Sequence, residues 1–162
     1  MDSILELGLL AFGLYLVWQA QSPTIESDPY FGVNMAMDTT PPEAQSPIVI
    51  GLARGIAKAE GFFVPGSRPA RDHNPGDMTM DLIGKSIGRD GSFAVFSNDG
   101  DGWANLYAQI ELWLSGRSAH ANADSTITDI SQFYTDTQQQ EWAANVAASL
   151  GVSPDTPIGQ LA

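Results

Sequence analysis

The stretch AKAEGFFVPGSRPARDHNPGDM, residues 57 to 78, places one glutamate at the end of a helix-like run and follows it with a tight polar turn. A carboxyl group at such a point can act as a general acid if apolar neighbours raise its pKa, and Phe62 and Phe63 beside Glu60 offer that apolar wall. The plain alternative is an exposed glutamate ending an amphipathic helix. His73, in the turn, has the chemistry of a base, but no side chain near it in sequence reads as a nucleophile for it to activate. Asp72, Asp77 and Asp81 are candidates for a second carboxylate, and each also reads as an ordinary turn or surface acid.

Metal chemistry finds less support. Cysteine is absent, which excludes disulfides and thiolate metal sites, and only His73 and His120 can supply imidazole. Residues 97 to 102, SNDGDG, begin like a calcium loop but carry Ser97 at the first position and Ala108 at the twelfth, where a carboxylate is needed. A capping turn before the helix containing Trp103 explains them better. Trp103, Trp113 and Trp142 sit at helical spacing and read as core.

The elements that position these residues are mostly helical. Ser46 suits an N-cap, Pro47 the first helical position, and Ile48, Leu52, Ile56 and Ala59 recur at helical spacing, so a helix is expected to run to about Glu60 and close on Gly61. Residues 78 to 96 read as short strands, with an Asp90-Gly91 turn signal in IGRDGSFAVF. DGWANLYAQIELWLSG is a second helix, with Asp101 near its start and Gly116 as its stop. Thr126 and Asp129 form a capping box for a short helix through Tyr134. Thr137 is the expected cap of a last helix that carries Trp142, Val146 and Leu150 on one face and ends at Gly151.

Composition bounds the rest. The chain of 162 residues, 43% apolar, suits one modest domain and a tail. Its net charge of −12, with no Lys or Arg stripe, argues against nucleic acid as a partner. Ile4 to Ala20 is apolar except for Glu6 and Gln19, and at about 1.5 Å per residue it reaches about 25 Å, marginal for a membrane helix. A membrane anchor is the favoured reading of residues 1–20, with a signal sequence and a helix buried against a partner as alternatives. Residues 21–47, rich in proline and acids, read as a linker reaching up to about 90 Å, and 48–162 as the functional domain.

This order of motifs carries a resemblance: a helix ending Glu-Gly, the turn HNPGD, a hairpin ending GSFAVF, a Gly-Trp helix, TITDISQFY, and a last helix ending LGVSPDTPI. From about Ile56 to Leu161 the chain resembles phage and prophage cell-wall-degrading proteins of the lysozyme-like, lytic-transglycosylase-like superfamily with an Asn-Asn-Pro-Gly-Asn turn. The first and last asparagines of that turn are His73 and Asp77 here.

The resemblance implies a mainly α, lysozyme-like α+β domain and cleavage of the β-1,4 bond between N-acetylmuramic acid and N-acetylglucosamine in peptidoglycan, with no cofactor and no metal. Glu60 matches the family's catalytic acid. Asn74, Tyr134, Phe62 and His73 are the expected substrate-binding residues. Asn74 also reads as an Asx motif holding its own turn, and Tyr134 as a core residue with its hydroxyl at the rim. The expected activity is that of a lytic transglycosylase, because no second carboxylate can be placed from sequence; a muramidase-type hydrolase is the alternative. The expected setting is a membrane-associated virion protein, binding lipid through residues 4–20, contacting other virion proteins and acting on the host envelope during entry. A host-lysis enzyme and a non-catalytic glycan-binding or structural virion protein of the same fold are the competing readings.

Overall fold

The computed structural model describes residues 45–161, which are mostly helical with one small antiparallel hairpin. The expected hydrophobic helix over residues 1–20 and all but the last residues of the expected linker lie outside the described residues. Among the described residues no helix is long and apolar enough to cross a membrane.

Helix α1 (Pro47–Ala59) starts where the sequence directs it: Ser46 Oγ accepts the Val49 N–H at 3.3 Å, and Pro47 fills the first turn without a missing donor. It ends in a complete Schellman motif, with the Phe62 N–H donating to Ala57 O and the Gly61 N–H to Lys58 O. Gly61 takes a φ of 78°, which a side chain would disfavour. The motif turns Phe62 into the core and leaves Glu60 as the capping residue at the helix end.

Helix α2 (Arg68–Arg71) is a single turn capped by Ser67. Strands β1 (Gly88–Asp90) and β2 (Phe93–Val95) pair antiparallel with Asp90 opposite Phe93, so Gly91-Ser92 forms the loop rather than Asp90-Gly91. Gly91, at φ 60°, occupies the first central position, where a two-residue hairpin favours glycine. The strands are shorter than expected, because Leu82 to Ser86 give their N–H groups to side chains instead of a ladder. Asp81 Oδ1 accepts the N–H groups of Ile83, Gly84 and Lys85, and its Oδ2 that of Ser86.

Helix α3 (Asp99–Leu114) begins at Asn98, whose side chain accepts the Asp101 N–H, so Asp99 and Asp101 both lie in its first turn. Helix α4 (Ile127–Tyr134) carries the expected capping box of Thr126 and Asp129. Helix α5 (Gln139–Leu150) departs from expectation at its start. Gln138 takes the N-cap position at φ 54° with no side-chain cap, and Thr137 instead accepts the Thr135 hydroxyl on its carbonyl. The Gln139 amide donates back to the carbonyls of Gln132 and Thr135, tying α5 to the end of α4. A short 3-10 turn, Ile158–Gln160, closes against the segment before α4 through Ile158 N–H to Ser125 O and Gly159 N–H to Ala123 O.

The core lies where α1 packs on α5 and α3 and where α5 packs on α4. Leu52 and Ile56 of α1, Leu106, Ile110 and Trp113 of α3, Ile127 and Ile130 of α4, and Val146 of α5 are essentially fully buried there. α3 also presses on the polar turn: a Cβ on Gly102 would lie 1.8 Å from the carbonyl oxygen of His73. Gly102→Ala is therefore expected to cost about 3 kcal/mol or more, because backbone must move to admit the methyl group. Gly88→Ala, where a Cβ meets nothing within 4 Å, should lie within about 0.5 kcal/mol of the parent. Urea unfolding of the two variants checks the contrast.

Candidate functional site

The Schellman motif leaves the Glu60 side chain half-buried at the C-terminal end of α1. Its carboxyl is met from the far end of the chain, where the Trp142 indole Nε1–H, in the first turns of α5, donates to Glu60 Oε1 at 2.7 Å. Burial raises the Glu60 pKa from 4.5 to about 7. The Trp142 hydrogen bond pulls it down, Asp77 pushes it up and Arg68 pulls it down, each by less than burial does. The negative end of the α1 dipole acts in the same sense as burial.

Tyr134 supports this arrangement from the end of α4. Its ring centroid is 5.1 Å from that of Trp142 and 5.9 Å from that of Trp113, and its hydroxyl donates to Gly76 O at 2.7 Å. Burial, then the charges of Glu60 and Asp77, holds its pKa well above the usual value. The phenol is thus a neutral donor that joins the carboxyl to the turn. Gly76 must lack a side chain for this contact, since a Cβ there would sit 2.9 Å from the Tyr134 hydroxyl and 2.9 Å from Leu106 Cδ1.

The turn itself is built on Asn74, which is fully buried. Its Nδ2 donates to Met78 O and Ala94 O, both at 2.9 Å, and its Oδ1 accepts the Met78 N–H at 3.0 Å. The amide therefore acts as an extra peptide group between the turn and β2, and its hydrogen bonds are made inside the protein. The Ala94 N–H donating to Met78 O and the Phe96 N–H donating to Asp72 O complete the attachment.

His73 and Asp77, at the two ends of the turn, both have left-handed backbone, with φ of 50° and 46°. Asparagine and aspartate tolerate that region better than most residues, which accounts for amide or acid side chains at such a turn. Here the two side chains make contacts with other elements. His73 Nδ1 lies 2.6 Å from Asp99 Oδ1 in the first turn of α3. Asp77 receives two N–H groups from Arg68, the Nε–H at 3.0 Å and an Nη2–H.

Glu60, Tyr134, Asp77 and Arg68 are thus brought into one electrostatic neighbourhood, with Trp142 bonded to the carboxyl. Phe62 lies in the core, in edge-on contact with Phe63 at 5.4 Å and with Trp103 at 5.5 Å, so it lends apolar surroundings rather than an open face. Of the candidate second carboxylates, Asp77 is the one whose charge acts on Glu60. Asp81 is consumed by backbone N–H groups, that of Ser86 foremost, which hold its pKa down to about 2. Asp72 is buried with Oδ2 lacking a hydrogen-bond partner, and burial raises its pKa.

Arg68 is a residue that sequence reading missed. Trp142 is buried in the core as its spacing predicts, but no local pattern marks its indole nitrogen as a partner of a carboxyl 82 positions away. Arg68 sits in a single-turn helix too short to show a period. Among the described residues no group of three or more His, Asp or Glu is placed to hold a metal ion. Comparison with known proteins finds no match to a family model, to a curated protein or to a solved structure.

The raised Glu60 pKa is also a statement about stability. Between pH 4.5 and about 7 the folded state keeps a proton that the unfolded chain has released, so this residue makes stability fall as pH rises through that window. Glu60→Gln removes the cost. The variant is expected to be more stable than the parent at about pH 8, by up to about 3 kcal/mol, and nearly equal to it at about pH 4. Urea titrations of both proteins at the two pH values measure this difference.

Proposed function

We propose that the domain cleaves the β-1,4 bond between N-acetylmuramic acid and N-acetylglucosamine in peptidoglycan as a lytic transglycosylase, with Glu60 as acid and then base, on a lysozyme-like fold. The observation that carries this reading is a half-buried carboxyl, protonated up to about pH 7, at the end of the domain's first helix. A glycosidic oxygen is a poor leaving group until protonated, and such a carboxyl is matched to that task near neutral pH.

In the first half of the reaction the Glu60 carboxylic acid gives its proton to the glycosidic oxygen as the bond to the muramoyl anomeric carbon breaks. Positive charge then develops on the sugar, and Glu60 becomes a carboxylate. The Trp142 N–H stabilises that form, because a hydrogen bond to a charged acceptor is stronger than one to a neutral carboxyl. In the second half the carboxylate takes the proton of the muramoyl 6-hydroxyl while its oxygen bonds to the anomeric carbon. The product is a 1,6-anhydro sugar, and Glu60 is again protonated.

Single-carboxyl chemistry is favoured over hydrolysis by the state of the other acids. A hydrolase needs a second carboxylate free to activate water or attack the sugar. Asp77, the acid that acts on Glu60, has both oxygens engaged by Arg68. In this reading the enzyme is a virion component that opens the wall during entry, tethered to lipid through residues 4–20.

Mass spectrometry of muropeptides released by the purified 162-residue chain tests the reading. Products about 18 Da lighter than hydrolytic ones are expected, with a loss of about 100-fold or more in Glu60→Gln. Reducing ends would instead mean hydrolysis, and release unchanged in Glu60→Gln, or glycan binding without cleavage by folded protein, would reject the assignment of Glu60. The rate should fall as pH rises through about 7, where the acid is lost. Trp142→Phe removes the bond that favours ionisation, so its alkaline limb should move to higher pH while the maximal rate drops about tenfold.

A further inference from the structure

Arg68 and Asp77 form an ion pair whose construction exceeds what a surface contact needs. The Arg68 guanidinium presents two adjacent N–H groups to the two carboxylate oxygens of Asp77. Its other side is fixed by the Phe93 ring of β2, whose centroid is 3.4 Å from Cζ. The Asp77 side chain is only 10% exposed and sits on left-handed backbone at the end of the polar turn. The turn is pinned by Asn74 on one side and by Tyr134, through Gly76 O, on the other. Tyr134 packs on Trp142, and Trp142 donates to Glu60. The pair is therefore held rigidly with respect to the carboxyl that the proposed reaction uses.

Resting on that reading of the site, we propose that the Arg68–Asp77 pair is a positioning element for the acid: Arg68 clamps Asp77, the residue next to the Gly76 carbonyl that holds the Tyr134 hydroxyl, and so fixes two opposed charges beside the chain of contacts that runs through Tyr134 and Trp142 to Glu60. A bare aspartate beside Glu60 would hold the proton too tightly for transfer, and a bare arginine would strip it at neutral pH. Clamped together they act on Glu60 in opposite senses, each by less than burial does. Asp77 and Arg68 are the charged groups that act on Glu60, and the Glu60 charge in turn acts on the Tyr134 hydroxyl, which stays neutral. From α5 the Glu60 carboxyl receives the Trp142 indole, which does not titrate.

The pair makes a prediction of opposite signs. Asp77→Asn keeps a side chain suited to the left-handed backbone and leaves Arg68 positive, so Glu60 should ionise at lower pH. Arg68→Gln leaves Asp77 negative, so Glu60 should ionise at higher pH. The double variant should return close to the parent. Each single shift should reach about half a pH unit or more, the effect of one nearby charge in a partly solvated site.

The Trp142 indole supplies a direct readout, since its Nε1–H is bonded to the titrating carboxyl. In the full chain, labelled with 15N, the Trp142 indole resonance is followed against pH and assigned among the four tryptophans by Trp142→Phe. Opposite shifts in the single variants and recovery in the double variant support the proposal. Shifts of the same sign, or none in Asp77→Asn, overturn it. If Arg68→Gln does not fold because an unpaired aspartate is left nearly buried, Asp77→Asn and the double variant still decide. The readout needs no activity, so cleavage of glycan without opposite shifts would defeat this proposal alone, and opposite shifts without cleavage would defeat the transglycosylase reading alone.

Discussion

The hydrogen bond from the Trp142 indole to the Glu60 carboxyl joins the end of the first helix to the first turns of the last, and the packing of the domain is what makes it possible. For the bond to form, α1 and α5 must lie close along much of their length. Gly51 and Gly55 on α1 allow this: a Cβ on Gly55 would fall 2.7 Å from Ser149 Oγ and 3.2 Å from Val146 Cγ1, and one on Gly51 would fall 3.2 Å from Leu150 Cδ2. The close approach seals the apolar core below Glu60 and brings a tryptophan against its carboxyl. One contact thus buries the acid and gives it the donor it needs when it ionises. That combination distinguishes it from a glutamate that merely ends a helix, which would be solvated and would titrate as a model compound does.

The polar turn solves a different problem with the same economy. Between α2 and β1 the chain has little regular secondary structure, so its backbone groups need other partners. Asn74 supplies three hydrogen bonds from one buried amide, and Asp81 accepts four backbone N–H groups across the next segment. Asn105 of α3 adds a bond from the Leu82 N–H at 2.7 Å and one to Met80 O at 2.9 Å. This wiring makes a rigid floor out of irregular chain. The left-handed positions at His73 and Asp77 then aim side chains outward to pair with Asp99 and Arg68.

How much of this was legible in the sequence follows the range of the interactions. Local signals read true: Ser46 and Pro47 at the start of α1, Gly61 at its end, and Thr126 with Asp129 at the start of α4 all act within a few residues of themselves. Glu60 and the turn can be singled out from sequence because both lie in one short stretch, but the burial of Glu60 and its partners cannot. The readings that failed were those in which a side chain chose a distant or competing partner. Residues 78 to 96 read as short strands, but Asp81 takes the N–H groups of Ile83 to Ser86, so the ladder starts only beyond them. Thr137 resembles a cap, yet its carbonyl is taken by Thr135 and the start of α5 moves past it. Trp142 and Arg68 act across tertiary contacts, and no spacing in the sequence encodes those.

A carboxyl kept protonated near pH 7 works against stability whenever it ionises, and the surrounding residues do little to relieve the cost. Among the described residues Glu60 has one hydrogen-bond donor, no paired cation of its own, and the charge of a clamped aspartate acting on it. An acid whose purpose was structural would gain from a direct arginine or from several N–H groups, as Asp81 does in the same domain. The two carboxyls therefore mark opposite uses of one functional group. Asp81 is arranged to stay ionised and hold a loop, whereas Glu60 is arranged to keep its proton up to about pH 7. Proton transfer at a poor leaving group requires that second arrangement, which is the physical support for the role proposed for Glu60.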